Sequence, residues 1–340
     1  MRDPGSTLSA LYVRQIAEQV RSLGADVAAW LNESGLTEAQ LADPMLAIPY
    51  EVFERLLLSA LRVTNEPALG LLVGERLLAS THGMVGYAAL NSGTIRQAID
   101  LVERFARLRI SLLAVTHEEL PDEVRACFRS TQPIGAIERP LLEAVVLSTK
   151  RVLDAISMGA CQVQRVSFAF EAPDYTALAR DLFGCEVRYG QAWTGFTVPP
   201  EVLDVPLRLA DPQAFDDAAR ICQRELEKLT ANESLAARVR RLLLEKQSGF
   251  PSLQVTARLF HMTPRTLHRR LLDEGTSFRE ILESVRHTLA VEHLKAGRFA
   301  IEEIAYALGY SDLANFRRAF KRWESVPPSE YRARHPRSAG

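Results

Sequence analysis

Ala257-Arg-Leu-Phe-His-Met-Thr263 is followed, 48 positions further along the chain, by Ala305-Tyr-Ala-Leu-Gly-Tyr-Ser311. Each stretch predicts a short helix, a tight turn and a capping residue, and each precedes a longer helix rich in arginine. The alanine that opens each stretch is small enough for two helices to approach closely there. Gly309 tolerates the positive φ that a sharp turn demands. The repeat therefore predicts two helix-turn-helix motifs in tandem.

The helices that follow the two turns also align, at an offset of 49: Leu267-His-Arg-Arg-Leu271 with Phe316-Arg-Arg-Ala-Phe320. In both, large apolar residues share one helix face and polar residues occupy the other. The second helix of such a motif enters the major groove of DNA. Base-reading side chains are therefore predicted at Arg265, His268 and Arg269 in the first motif and at Leu313, Ala314, Arg317 and Arg318 in the second.

The residue types in these helices suit contacts with DNA. Arginine can bond guanine O6 and N7 with two donors, and the apolar members of the second set can pack on thymine methyl groups. Thr263, with Pro264 behind it, is a predicted cap for the first reading helix, and Ser311 or Asp312 for the second. Helix N-termini and basic side chains bind phosphates. Phosphate contacts are predicted for Thr263, Arg270, Ser311, Lys321 and Arg322.

Charge is divided unevenly along the chain. Residues 234–340 carry 19 Lys or Arg against 11 Asp or Glu, a net charge of +8, whereas the whole chain carries −1. Residues 1–233 carry 22 basic against 31 acidic residues, a net charge of −9. Because phosphates attract the basic part and repel the acidic part, we expect residues 234–340 to face DNA and the rest to face away from it.

The first two thirds of the chain mix helical and strand patterns. A turn signal at Leu120-Pro-Asp122 separates two strand-like segments and predicts a β-hairpin. Helices are predicted over Leu11–Ser34, Tyr50–Thr64, Pro67–Leu78, Thr94–Arg109, Ala136–Ser157, Asp174–Phe183 and Pro212–Leu229, and strands over Leu112–Glu119, Glu123–Ser130, Gln162–Glu171, Val187–Tyr189 and Gly195–Val198. Together these patterns predict an α+β domain with an antiparallel or mixed sheet.

The segment Leu229–Glu233 has the composition of a linker, and every later pattern is helical. Two domains are therefore predicted, an α+β domain over residues 1–229 and an all-α domain over residues 230–340. The helices of the second are predicted over Ser234–Glu245, Leu253–Phe260, Pro264–Glu274, Ser277–Ala296, Ile301–Leu308, Leu313–Trp323 and Ser329–Arg332. The long helix between the two motifs joins them.

The C-terminal residues resemble the DNA-binding domain of the AraC/XylS family of bacterial transcription regulators. The matching stretches are Thr263-Pro-Arg-Thr-Leu-His-Arg-Arg-Leu271, Ile301-Glu-Glu-Ile-Ala-Tyr-Ala-Leu-Gly-Tyr-Ser-Asp312, Phe316-Arg-Arg-Ala-Phe-Lys-Arg-Trp323 and Pro328-Ser-Glu-Tyr-Arg332. The family's base-reading positions fall on the seven residues named above. Ser325 departs from the pattern, because the family usually has glycine after the second reading helix.

Residues 1–229 resemble the arabinose-binding-like N-terminal domain of one branch of that family. The resemblance lies in His82–Ala98, Phe168–Pro173 with Tyr175, and Leu182–Val187. It implies a domain that senses a small molecule, without identifying that molecule. Aromatic residues are candidates for its pocket, with core packing as the alternative for each: Phe168, Phe170, Tyr175, Tyr189, Trp193 and Phe196.

The resemblance also implies partners. An unidentified small-molecule effector, promoter or operator DNA and RNA polymerase are expected, with activation more frequent than repression. A homodimer through the N-terminal domain is possible, and the long helices Ala136–Ser157 and Pro212–Leu229 are candidates for its contact, unless they belong to the core. We expect a cytoplasmic protein, since the sequence shows no signal peptide and no apolar run of membrane-spanning length.

Two other classes of function remain as alternatives. One is a small-molecule-binding protein whose basic helical C-terminal domain serves a protein partner in place of DNA, which sequence-selective retention of a duplex would exclude. An enzyme is disfavoured, since no catalytic constellation is evident. No cofactor or metal is expected, because the four cysteines are widely spaced and form no zinc-binding pattern with the histidines.

Overall fold

A computed structural model of the chain describes residues 7–43, 46–131, 134–231, 234–245, 249–297 and 299–334. The internal contacts divide the chain into an N-terminal unit, residues 2–228, and a C-terminal unit, residues 229–340. The helix predicted over Pro212–Leu229 continues to Ala231, so the first three residues of the predicted linker are helical. Its last two, Asn232 and Glu233, lie outside the described residues.

The N-terminal unit is α+β, as predicted. Its helices are α1 (Ala10–Ser22), α2 (Val27–Asn32), α3 (Glu38–Leu41), α4 (Tyr50–Thr64), α5 (Leu69–Arg76), α6 (Gly83–Leu90), α7 (Ile95–Phe105), α8 (Glu138–Ser157), α9 (Thr176–Phe183) and α10 (Pro212–Ala231). Its strands are β1 (Thr7–Ser9), β2 (Ala47–Pro49), β3 (Leu113–Glu119), β4 (Val124–Ser130), β5 (Arg165–Ser167), β6 (Glu186–Arg188) and β7 (Thr194–Val198).

Five of these strands form one sheet in the order β3-β4-β7-β5-β6. β5 and β6 pair in parallel and the other neighbours are antiparallel. The predicted hairpin is confirmed: Leu113 pairs with Ser130 and Glu119 with Val124 across β3 and β4. Helix α8 packs on β4 and β7 on one side and on α5 on another. The N-terminal unit is therefore built around α8, which buries eleven of its side chains.

Glycines allow α5 and α8 to approach closely. A Cβ atom at Gly70 would lie 2.4 Å from the carbonyl oxygen of Pro140, and one at Gly74 would lie 2.8 Å from Cα of Ala144. Both distances are shorter than real Cβ contacts, and the obstructing atoms are backbone. The α5–α8 contact therefore requires glycine at both positions.

Three features of this unit differ from the predicted elements. The helix predicted over Leu11–Ser34 is two helices, α1 and α2, because the chain turns at Gly24 with φ +82°. The strand predicted over Gln162–Glu171 is only β5, since the chain outside Arg165–Ser167 leaves the sheet. Helix α6 and the β1–β2 pair were not predicted from the sequence. Helix α6 is apolar on all sides, so it has no helical periodicity to detect.

The C-terminal unit is all-α, as predicted, and its helices follow the predicted elements within a residue or two at each end. They are α11 (Leu235–Glu245), α12 (Leu253–Leu259), α13 (Pro264–Asp273), α14 (Phe278–Ala296), α15 (Ile301–Ala307), α16 (Leu313–Glu324) and α17 (Pro328–Arg334). One apolar core joins them, with α14 running through it and contacting α11, α15, α16 and α17.

Ser325 ends α16 in the left-handed region, with φ 63°. The helix is thus capped as a glycine would cap it, although the residue is serine. The left-handed conformation costs an L-residue about 1–2 kcal/mol, while glycine loses about 0.5–1 kcal/mol in backbone entropy.

We predict that Ser325→Gly raises the free energy of unfolding by up to about 1 kcal/mol. Ser329→Gly is the matched control, because Ser329 is exposed within α17, where glycine should lower that free energy by about 0.5–1 kcal/mol. Urea denaturation of both variants measures the difference. Equal destabilisation by the two substitutions would contradict the prediction.

Candidate functional site

The first motif consists of α12, a turn and α13. The Met262 N–H bonds the Ala257 carbonyl at 2.8 Å and so closes the turn, in which His261 has φ 54°. The Thr263 hydroxyl then accepts from the N–H of Thr266 at 3.2 Å, and Pro264 occupies the first helical position. The predicted cap is therefore in place, and α13 begins where the sequence indicates.

The second motif repeats this geometry. The Tyr310 N–H bonds the Ala305 carbonyl at 3.0 Å, the same hydrogen bond displaced by 48 residues. Gly309 takes the left-handed position of His261, with φ 74°. The cap is Asp312, not Ser311, because the Asp312 carboxylate accepts from the N–H of Asn315 at 2.7 Å. The sequence repeat is thus a repeat of backbone hydrogen bonds.

Each reading helix buries the face opposite to the one that carries its arginines. Leu267 and Leu271 of α13 and Phe316 and Phe320 of α16 are fully buried in the shared core. The predicted base-reading residues lie on the other faces: Arg265, His268, Arg269, Ala314, Arg317 and Arg318 are exposed, and Leu313 is half-buried. Asn315 was not among the predicted residues; its side-chain oxygen accepts from Arg318 at 2.6 Å.

The residues predicted to contact phosphate are exposed: Thr263, Arg270, Ser311, Lys321 and Arg322. Arg322 also donates to Glu283 of α14 at 3.3 Å. This exposed pair contributes little to stability and is easily exchanged for another acceptor. Arg322 is therefore the one member of the set whose contact with phosphate competes with an ion pair seen in the structure.

Arg286 of α14 supports the second turn, a role without a sequence signal. Its guanidinium lies 4.8 Å from the ring centre of Tyr310 and 5.7 Å from that of Phe250. It also donates to the carbonyl of Gly309 at 3.1 Å. These contacts tie the turn to the long helix that connects the motifs. At the first turn, the guanidinium of Arg238 of α11 lies 5.0 Å from the ring centre of Phe260, so that turn is tied to α11.

We predict that Asp312→Ala lowers the free energy of unfolding by about 0.5–2 kcal/mol, because the N-terminal N–H groups of α16 lose their acceptor. Ser311→Ala is the control, since the Ser311 hydroxyl bonds only its neighbour Asp312, at 3.4 Å. It should change stability by less than about 0.5 kcal/mol. Urea denaturation measures both, and a larger loss in Ser311→Ala would contradict this assignment of the cap.

In the N-terminal unit, four of the predicted pocket aromatics cluster. Phe168 stacks on Phe170 with 4.7 Å between ring centres and on Tyr189 with 5.6 Å. The hydroxyl of Tyr175 donates to Glu143 of α8 at 3.0 Å. Phe168 is fully buried among these groups, so the centre of the cluster is packed. Phe170 also lines an open groove beside Arg139.

The other two predicted aromatics lie elsewhere. Trp193 precedes β7 and packs under the guanidinium of Arg125, 5.3 Å from the ring centre. Phe196, in β7, faces the interior and lines a small cavity of about 50 Å³. The six residues therefore do not line one pocket.

A larger cavity, of about 110 Å³, lies between α1, α4, α5, α6, α7 and α8. Its walls are almost entirely apolar, and Arg109 is the one charged residue among those described that line it. Six residues line both this cavity and the smaller one: Ala89, Val102, Val115, Phe128, Thr149 and Val152. The two cavities are thus neighbours that share a wall.

A chain of hydrogen bonds fixes the polar end of the larger cavity. The Ser148 hydroxyl donates to the Leu77 carbonyl at 3.3 Å, so its oxygen is the acceptor for His82 Nε2 at 2.6 Å. His82 Nδ1 then accepts from the hydroxyl of Tyr12 at 3.0 Å. Burial, and next the charge of Arg109, lower the pKa of His82 to about 4. The imidazole is therefore neutral near pH 7.

Glu143 is fully buried, and this burial raises the pKa of its carboxyl to about 7 from an ordinary value of 4.5. The Tyr175 hydroxyl and the charge of Arg139 oppose the rise. Between pH 4.5 and about pH 7, the Glu143 carboxyl keeps its proton in the folded chain but has released it in the unfolded chain. Stability therefore falls as the pH rises through this window.

We predict that the free energy of unfolding falls by roughly 3 kcal/mol between pH 4.5 and pH 7 on account of Glu143. Glu143→Gln should remove most of this fall, whereas Glu171→Gln, at an exposed position, should leave it unchanged. Urea denaturation at several pH values measures the slopes. Parallel curves for the wild type and Glu143→Gln would contradict the prediction.

Both units are similar to known protein families. The family described as the arabinose-binding N-terminal domain of AraC transcription regulators matches residues 24–207, and a helix-turn-helix domain family matches residues 256–334. The ornithine utilization regulator of Pseudomonas aeruginosa is 32% identical over 94% of this chain and 95% of its own. The transcriptional regulator VirS of Mycobacterium tuberculosis is 27% identical over 97% of each chain.

Among solved structures, the transcriptional regulator CdpR of Pseudomonas aeruginosa shares 26% identity with this chain. The match covers 93% of this chain and 98% of CdpR, with a TM-score of 0.43.

Proposed function

The chain belongs to the AraC family of helix-turn-helix transcription regulators, and from that premise we propose that its two motifs read one operator together. It is an effector-responsive, DNA-binding regulator. In the proposal, α13 and α16 enter successive major-groove segments on one face of the duplex, roughly one helical turn apart. The base contacts come from Arg265, His268 and Arg269 and from Leu313, Ala314, Arg317 and Arg318.

The observation that carries the proposal is the matched exposure of the two reading helices. Each turns its large apolar residues into one core and presents arginines to solvent. Within the described part of the chain, Arg265, Arg269 and Arg317 form no ion pair. Their guanidinium groups are thus available to base edges without first breaking an internal contact.

The charge distribution also favours DNA binding through residues 234–340. The net charge of +8 over residues 234–340 attracts the phosphate backbone, while the net charge of −9 over residues 1–233 is repelled. Thr263, Arg270, Ser311, Lys321 and Arg322 then fix the register on phosphates without reading sequence.

We infer that the N-terminal unit binds a small molecule and that binding changes the affinity of the C-terminal unit for DNA. Such coupling requires the effector to stabilise one of two states of the protein more than the other. Activation through contact with RNA polymerase is part of the same proposal, as is a location in the cytoplasm. Among the described residues no single helix is long and apolar enough to cross a bilayer; α4 and α5 reach that length only together, across a bend of 111°.

A homodimer would use α10 in preference to α8. The eleven buried side chains of α8 place it in the core of the N-terminal unit, which leaves little of it for a partner. Helix α10 buries Ala218 and Cys222 against α6 and α7 but exposes Ile221 and Leu229. Its outer face therefore remains the candidate for a contact between two copies.

We predict that Arg269→Ala and Arg318→Ala each weaken binding to the selected operator by roughly 1–3 kcal/mol. Each should relax sequence preference in only one half of the operator, because the two arginines lie on different reading helices. Arg334→Ala is the control, since Arg334 is paired with Glu330 on α17. Fluorescence anisotropy with single-base variants of the duplex measures the effects. Unchanged binding in both variants would show that these faces do not read DNA.

A further inference from the structure

The larger cavity of the N-terminal unit combines an apolar interior with one half-buried guanidinium. Its lining belongs to six helices and to β1, β3 and β4. Arg109 follows α7 and is half-buried at the cavity wall. This combination indicates the chemistry of a ligand.

The guanidinium of Arg109 has few partners. One terminal nitrogen donates to the carbonyl of Thr81 at 3.2 Å, and the group lies 5.6 Å from the ring centre of Tyr12. Its Nε is buried without a hydrogen-bond acceptor, and among the described residues no carboxylate pairs with it. A partly buried charge without a counter-ion is unfavourable, so pairing with an anion that entered would be favoured.

The other polar groups of the lining are already satisfied. Both nitrogens of His82 are engaged, by Tyr12 and Ser148. The hydroxyl of Thr149 donates to the carbonyl of Val145 at 2.8 Å. A polyhydroxylated ligand would find few free hydrogen-bonding groups there, and a cationic ligand would be repelled by Arg109. The neutral imidazole of His82 adds no second charge.

The larger cavity has a charged end and an apolar end. The charged end is formed by Arg109, Tyr12 and His82, and the smaller cavity of about 50 Å³ lies behind the shared wall, next to Val102 and Phe196. An engineered apolar cavity of about 150 Å³ binds benzene, so a space of this order suffices for hydrocarbon. An elongated chain fits this arrangement better than a compact ring system does.

From these observations we propose that the effector is an elongated apolar monocarboxylate, with its carboxylate paired to Arg109 and its chain directed towards the second cavity. This proposal rests on the proposed function, because it names the ligand class to which the N-terminal unit responds. Arg109 supplies the charge, Tyr12 and His82 form the polar end, and the walls of the two cavities select for chain length.

Isothermal titration calorimetry of the full-length protein tests the proposal with linear carboxylates from butanoate to dodecanoate and with the matching alcohols. The carboxylates should bind more tightly than the alcohols. Affinity should rise about fourfold for each methylene until the chain fills the second cavity. Equal binding of acids and alcohols, or no binding of either, would overturn the proposal.

Three variants examine the assigned residues. Arg109→Gln should abolish the preference for acid over alcohol, and Arg109→Lys should retain it because the charge remains. Arg104→Gln is the control, since Arg104 is exposed on α7 and bonds Gln223 at 2.7 Å away from the cavity. A preference that survives in Arg109→Gln would overturn the role of Arg109.

Val102→Phe provides a test that does not depend on the charge. Val102 lines both cavities, so a larger side chain there should leave less room for the carboxylate's hydrocarbon chain. Affinity should then stop rising at a shorter carboxylate, while hexanoate still binds. An unchanged length dependence would overturn the proposed direction of the chain. Operator binding by the same proteins separates the two claims: if no carboxylate binds but the operator is still bound selectively, the ligand class fails and the DNA-reading function stands.

Discussion

The burial of one apolar face of each reading helix in a common core is the constraint on which the DNA-reading surface depends. Leu267 and Leu271 hold α13, and Phe316 and Phe320 hold α16, in one apolar core to which α14 also contributes. Because a helix has a fixed angular spacing, burial of these positions turns the arginines that lie one or two residues away from them towards solvent. The two surfaces are thus fixed relative to the same core, which is what joint reading of one operator requires.

Much of the C-terminal unit could be predicted from the sequence because local chemistry and packing agree there. Thr263 is a favourable N-cap and Pro264 suits the first helical position, and Gly309 tolerates the positive φ of a turn. These preferences are local and do not depend on distant residues. The choice between Ser311 and Asp312 as the cap could not be made in this way, since both residues are good caps and only backbone geometry separates them. Arg286 was also beyond prediction, because its stacking on Tyr310 joins residues distant in sequence.

The N-terminal unit shows where such reasoning fails. The β-hairpin followed from a turn signal between two alternating segments, but α6 has no polar face and so no periodicity. The aromatic residues predicted for the pocket do not all meet, since Phe168, Phe170 and Tyr189 stack on one another whereas Trp193 and Phe196 lie elsewhere. The cavity beside Arg109, His82 and Tyr12 had no sequence signal, because these residues are far apart in sequence. Whether a charged side chain such as Arg109 lacks an ionic partner depends on the folded structure, so the amino-acid composition does not show it.

The most direct test of the central claim is selection of bound duplexes from a random-sequence pool by the full-length protein, at about 0.15 M salt, where non-specific phosphate binding is weakened. Joint reading by α13 and α16 predicts an asymmetric motif with two blocks of enriched sequence about one helical turn apart. Retention of duplexes with one enriched block, or with none, would contradict it.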